Sequence, residues 1–246
     1  MNYTRGLTMK KYLLTLLLVL PSVAFSGDLD DFYITAKGGL SESMNTGTTQ
    51  YTAANGILRH LSDEDLGTGA AFGLSAGKYL TDNFRLEMEA TRITGFNYDT
   101  FRIDEPIKRS KADIVTYTLF INGFYDFRPL TISNTPITPY LGGGVGVSRN
   151  SMRSIVRIGG SGRAARVIDG DSNNEFAYKL SAGILVNLTQ RLSLDVSYQY
   201  VNLGAFRSQT RNFRTLDGTL ADNLLKGYSD GEIITQELMV GLQYKF

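Results

Sequence analysis

The chain has 246 residues, 25 Lys and Arg against 24 Asp and Glu, a net charge of +1, 27 Tyr and Phe, 26 Gly, and no Trp or Cys. A near-neutral balance argues against the basic excess by which nucleic-acid binders meet phosphate, so no nucleic-acid partner is expected. A chain without thiols crosses an oxidising compartment free of mispairing, which agrees with export.

The first element is a leader. Lys10 and Lys11 form a basic start, Tyr12 to Leu20 an apolar run ended by Pro21, and Ala24-Phe25-Ser26 puts small residues at the −3 and −1 positions before Gly27. This is the three-part plan of a secretory signal peptide. The apolar run is far shorter than the roughly 20 residues a spanning helix needs. Residues 1–26 are therefore expected to be a cleaved signal peptide and 27–246 a single domain. Met9 serves as a start as well as Met1, because residues 1–8 add nothing a signal needs. Cleavage removes Arg5, Lys10 and Lys11 and no acid, so +1 becomes −2.

The rest of the chain repeats one pattern of about ten residues alternating apolar with polar or small, then a turn. Period-2 alternation marks a strand with two different faces. Segments 32–41, 68–80, 83–94, 113–127 and 137–149 fit it. So do Phe176 to Leu188, Arg191 to Tyr200 and Ile234 to Phe246. In the last, Leu238, Val240, Leu242, Tyr244 and Phe246 oppose Glu237, Met239, Gly241, Gln243 and Lys245, with Gln236 an exception on the apolar face. Phe120 and Phe124 sit on the polar face of 113–127. The connections alternate: short ones at Thr81-Asp82-Asn83, 128–136 and Thr189-Gln190, long ones at 42–67, 97–112, 150–174 and 204–232. Eight strands with short turns at one end and four long loops at the other predict an all-β fold, an eight-stranded antiparallel transmembrane β-barrel with short periplasmic turns and long extracellular loops.

A soluble barrel would bury its apolar face and leave Lys37, Arg85, Glu87, Glu89, Lys179, Asp195 and Glu237 outside, or pay heavily to bury them in a dry core. An inside-out barrel in lipid resolves this, because closure satisfies the backbone and lipid accepts the apolar face. Those seven residues are then expected to face the lumen and form a cross-barrel ion-pair network that plugs it. Lys78 and Arg92 fall on the lipid face; both lie near strand ends, where long cations snorkel, unless a bulge shifts the register.

Particular residues carry a resemblance. They are Tyr79-Leu80-Thr81-Asp82-Asn83-Phe84-Arg85-Leu86, Asn122-Gly123-Phe124-Tyr125-Asp126-Phe127, Pro139-Tyr140-Leu141-Gly142-Gly143-Gly144-Val145-Gly146, Phe176-Ala177-Tyr178-Lys179-Leu180-Ser181-Ala182-Gly183 and the terminal strand ending in Phe246. In them the chain resembles small outer-membrane β-barrel surface antigens, a group with opacity-type proteins and rickettsial small adhesins, and an OmpA-like barrel without a periplasmic domain. The resemblance covers the strands and short turns of 30–246 and none of the long loops. It implies a Gram-negative outer-membrane location among lipid and lipopolysaccharide. It also implies that Tyr244 and Phe246 form a terminal signal read by the barrel-assembly machinery.

Candidate chemistry is sparse. His60, in the first long loop, has Ser62 and Asp63 near it in sequence, but no scaffold that fixes a hydrolase site or a metal ligand. Gly144-x-Gly146 is followed by no helix pattern, so a crowded barrel interior explains it better than a phosphate loop. Arg149, Arg153, Arg157, Arg163 and Arg166 outnumber Asp169 and Asp171 along one loop, which suits anionic glycans or lipopolysaccharide phosphates, against the alternative of a solvated loop. No catalytic residue, cofactor or metal is expected. The expectation is a surface protein of the antigen or adhesin type whose loops meet a host-surface protein or glycan. The alternatives are a small porin, a barrel for envelope integrity and a barrel lipid hydrolase.

Overall fold

The structure, a computed structural model, describes residues 31–44, 49–52, 57–60, 66–102, 105–132, 135–158, 164–208, 211–212 and 226–246. The signal-peptide region lies outside them. Eight long strands follow the alternating segments: β1 (Phe32–Ser43), β2 (Thr68–Tyr79), β3 (Phe84–Arg102), β4 (Glu105–Asp126), β5 (Thr135–Met152), β6 (Ser172–Asn187), β7 (Leu192–Arg207) and β8 (Lys226–Lys245). Each pairs antiparallel with its chain neighbour, and β1 pairs with β8 from Tyr33↔Lys245 to Ser43↔Thr235. The ring is closed, so no strand edge is left to satisfy.

The two tightest turns share one device. Thr81 Oγ1 accepts from the backbone N–H of Phe84 (3.0 Å), and Thr189 Oγ1 from that of Leu192 (3.0 Å). Such hydroxyl-to-backbone bonds close a tight hairpin without any longer loop.

The strands outrun a membrane. A tilted spanning strand needs about 9–11 residues, whereas β3, β4 and β8 have 19, 22 and 20. The surplus lies at the long-connection end. The loop expected over 97–112 is instead a paired arm, Phe96↔Ile114 through Phe101↔Arg109 to Arg102↔Glu105. The other long connections also carry short strands: Thr49–Thr52 with Ile57–His60, Ile155–Ile158 with Ala164–Ile168, and Arg211–Asn212 on β8. The barrel thus continues beyond the apolar belt as a raised rim. Two bulges mark the passage, between Ile93 and Phe96 with Gly95 at φ 99°, and between Asn202 and Ala205 with Gly204 at φ 70°. A bulge inserts one residue and flips which parity faces inward.

The side chains divide inside-out. Outward lie Phe72, Leu74, Phe176 and Leu180, each more than 60% exposed, with Ile121, Val145, Val147, Leu238 and Leu242. Inward lie the charges and hydroxyls. Lys78 and Arg92 remain on the outer face, the first with its ammonium 4.8 Å from the Phe32 ring and the second with its guanidinium 5.8 Å from the Tyr117 ring. Gln236, the exception in the last strand, accepts a bond from Tyr198 OH at 2.8 Å on that same face. The glycine run in β5 answers to the crowded interior: a Cβ at Gly142 or Gly144 would collide with the Phe124 ring or the Asn122 amide.

Candidate functional site

Every strand contributes polar side chains to the lumen, β5 through Tyr140, Ser148 and Asn150. Glu89 on β3 is its hub. Lys37 Nζ on β1 and Lys179 Nζ on β6 both donate to Glu89 Oε2, at 2.6 and 2.8 Å, and Lys37 stands 3.7 Å from Glu87 Oε1. Asn122 Nδ2 bridges the two carboxylates at 3.3 and 3.2 Å, and Thr91 Oγ1 donates to Glu89 Oε1 at 2.9 Å. Nearer the short turns, Arg85 Nε meets Asp126 Oδ1 at 3.0 Å, and its guanidinium lies over the rings of Phe124 (4.3 Å) and Tyr140 (4.5 Å), which pack edge to face against each other. Phe120 lies 4.9 Å from the Lys179 ammonium. The two phenylalanines on the polar face are therefore platforms for cations.

Of the seven charges read from the sequence, the structure brings five into two ion-paired groups: Lys37, Glu87, Glu89 and Lys179 in one, Arg85 in the other. Asp195 and Glu237 face the lumen but meet no cation within ion-pair distance among the described residues. Asp195 Oδ1 accepts from Tyr140 OH at 2.6 Å, and Glu237 Oε1 from Ser41 and Thr235 hydroxyls at 2.9 and 3.2 Å. Asp126, the partner of Arg85, was missed as a member. Its alternation with Phe124 and Asn122 was the signal that could have found it. Three cations thus face five acids among the described residues. Hydroxyls of Thr35, Ser75, Thr118 and Ser181 have no hydrogen-bond partner among the described residues.

A second layer had no counterpart in the sequence reading. Inside the raised rim, Phe96, Ile114, Met152, Ile155, Leu203, Phe206 and Ile233 form one buried apolar cluster with Leu66. Here the barrel has the ordinary soluble polarity, apolar within. Leu66 N–H donates to Ser43 Oγ, which ties the connection before β2 onto β1. The ion-paired layer is thus capped by a largely apolar one.

On the outside, Arg149 is exposed at the upper end of β5, and Arg153 pairs with exposed Asp113 at 3.3 Å. Arg157 and Arg166 belong to the strands Ile155–Ile158 and Ala164–Ile168, with side chains outside what is described, and Arg163 lies outside the described residues. His60 ends the strand Ile57–His60, its backbone opposite Thr49, and its side chain is likewise outside what is described. At the short-turn end Tyr244 and Phe246 pack edge to face, centroids 5.5 Å apart, and Phe246 N–H donates to Phe32 O at 3.0 Å.

A closed antiparallel ring with an apolar outer belt, outward aromatic pairs at its short-turn end and a charged lumen defines a transmembrane β-barrel of the kind found in bacterial outer membranes. The model of the outer membrane protein beta-barrel domain family matches residues 12–246, and the chain belongs to that family. It is an outer-membrane protein, surrounded by the lipids of that membrane. It is similar to outer membrane protein PagN of Salmonella typhimurium, 25% identical over 230 residues that cover 88% of this chain and 90% of the other. Among solved structures it resembles Neisserial surface protein A, with a TM-score of 0.50 and 18% identity over 87% of this chain and 97% of that one. It also resembles OprG from Pseudomonas aeruginosa, with a TM-score of 0.51 and 15% identity over 89% and 98%. These two likenesses concern the fold.

Proposed function

We propose that the chain is a non-enzymatic surface protein of the adhesin type, a closed barrel that holds connections 42–67, 97–112, 150–174 and 204–232 outside the cell against a host-surface protein or glycan. The observation that carries this reading is the double closure of the lumen. The Lys37–Glu89–Lys179 layer lies beneath the apolar layer of Phe96, Ile114, Leu203 and Phe206. An eight-stranded barrel has an interior just wide enough for side chains to fill, and here they do, which speaks against a porin. The long rim favours display, because paired strands hold loop bases rigidly away from the lipid surface. Residues 1–26 act as the cleaved leader, and Tyr244 with Phe246 as the signal to the barrel-assembly machinery. Arg149, Arg153, Arg157, Arg163 and Arg166 supply an anion-attracting side to the third long connection.

The test is adhesion by a non-adherent bacterium expressing the full chain, beside versions in which 155–168 or 211–225 is replaced by a short Gly-Ser link. Both shortened barrels should still fold and show heat-modifiable migration, while bound bacteria fall severalfold. Equal adhesion by all three would remove the loops from the function. A lipid hydrolase reading rests on His60 alone, and His60→Ala is expected to change neither adhesion nor membrane lipid composition.

A further inference from the structure

On the outer wall, three adjacent strands lose their apolar face at neighbouring positions. Outward on β3 come Leu86, Met88 and Ala90, then Arg92; on β4 Ile121 and Leu119, then Tyr117; on β5 Val145 and Val147, then Arg149. The three end residues are direct cross-strand partners, Arg92↔Tyr117 and Tyr117↔Arg149. Beyond them the outward residues are mostly polar, Thr94, Asp113, Ser151 and Arg153, with Val115 the one apolar residue among them. The row therefore sits where hydrocarbon gives way to headgroups. Among the described residues, neither Arg92 nor Arg149 has a carboxylate within ion-pair distance. Arg92 is held by the Tyr117 ring at 5.8 Å. One strand, β4, separates the arginines, so their backbones stand two strand spacings or about 10 Å apart, a gap two such side chains close around one tetrahedral anion. Immediately above Arg149 an open groove of about 750 Å³ is lined by Arg153, Ser154, Asp171 and Ser172. These side chains offer donors and acceptors for sugar hydroxyls.

We infer that this wall binds the headgroup of a phosphorylated glycolipid of the outer leaflet, with the phosphate between Arg92 and Arg149 and the sugar in the groove above. Guanidinium forks suit phosphate oxygens, and such charge-assisted bonds are strengthened beside a low-dielectric belt. Tyr117 fixes the height of the site, its ring at the boundary and its hydroxyl toward water. The acyl chains then run down the apolar face below, along Leu119, Val147 and Phe176.

The experiment uses the full chain in phosphatidylcholine nanodiscs, with native mass spectrometry reading bound lipid after addition of bisphosphorylated lipid A, dephosphorylated lipid A or inorganic phosphate. The wild type should retain bisphosphorylated lipid A and not the dephosphorylated form. Arg92→Gln with Arg149→Gln should lower retention at least tenfold, and Arg191→Gln, a cation at the opposite rim, should leave it unchanged. Both arginines point outward, so heat-modifiable folding should survive; if the double variant folds poorly, Arg149→Gln alone is read, with a severalfold loss expected. Undiminished retention by the variants, or an equal loss with Arg191→Gln, overturns the site. Full displacement by millimolar inorganic phosphate would show a free-anion site and overturn the lipid assignment.

Discussion

Lys179 Nζ on β6 reaches Glu89 Oε2 on β3 at 2.8 Å, with β4 and β5 between them in the barrel wall. Lys37, from β1, meets the same oxygen at 2.6 Å. One carboxylate therefore holds two ammonium groups from opposite sides. Removing one member of a buried pair leaves an unpaired charge that costs roughly 3–5 kcal/mol. Glu89→Ala strands Lys179 and leaves Lys37 only the more distant Glu87, 3.7 Å away, and is expected to destabilise by about that range; Lys179→Ala leaves Lys37 on Glu89 and should cost less. Urea unfolding in lipid vesicles reads both midpoints. A Glu89→Ala barrel as stable as wild type would mean that solvent, not the pair, holds these charges.

The two layers of the lumen make different predictions for conductance. The polar layer contains hydroxyls without a partner among the described residues, so charge neutralisation there widens a region that already tolerates polarity. The layer above is apolar, and ions crossing it lose hydration without replacement. Lys37→Met, Glu89→Leu and Lys179→Met together are therefore expected to leave bilayer conductance near the baseline. Adding Phe96→Ala and Phe206→Ala should raise it into discrete openings. Steady conduction by the wild type would refute the closed lumen and revive the porin reading.

Much of this was legible in the alternation itself. Eight segments, their apolar faces and the inward placement of Lys37, Glu89 and Lys179 follow from period-2 patterning, because a strand that faces lipid and lumen cannot hide either face. The rim was not legible. At Gly95 and Gly204 a bulge shifts parity, so Ile93 and Phe96 both point inward although they are three residues apart. A reader counting by twos sees the pattern break and infers a loop. Partner choice was also hidden: which acid meets Arg85 depends on register and height across strands, and Asp126 gains its role only when β3 and β4 are aligned. For Asp195 and Glu237 the sequence shows a charge but not the Tyr140, Ser41 and Thr235 hydroxyls that receive it.

The bulge at Gly204 offers a test of the rim. Its φ of 70° lies in the left-handed region, and a Cβ there would stand 2.5 Å from Glu175 Cβ. An L residue in this conformation costs about 1–2 kcal/mol before any collision. Gly204→Ala should lower thermal stability and loosen Leu203 and Phe206, which flank the bulge in the apolar layer. Hydrogen exchange should rise at the rim end of β7 and stay slow in the belt. Uniform loosening along β7 would show that the rim and the belt are one cooperative unit.

The last strand separates packing from assembly. Phe246 contributes one backbone bond to Phe32 O, at 3.0 Å, and one edge-to-face contact with Tyr244. A single hydrogen bond contributes about 0.5–1.5 kcal/mol and an aromatic pair a similar amount, small beside a barrel closed by eleven paired positions between β1 and β8. Deleting Phe246 should therefore shift the unfolding midpoint of protein refolded in vitro only slightly. If Tyr244 and Phe246 also form the signal that the assembly machinery reads, the folded fraction in living cells should fall severalfold, and Phe246→Tyr should restore it. A parallel and equally small loss in both settings would leave the residue with a packing role alone.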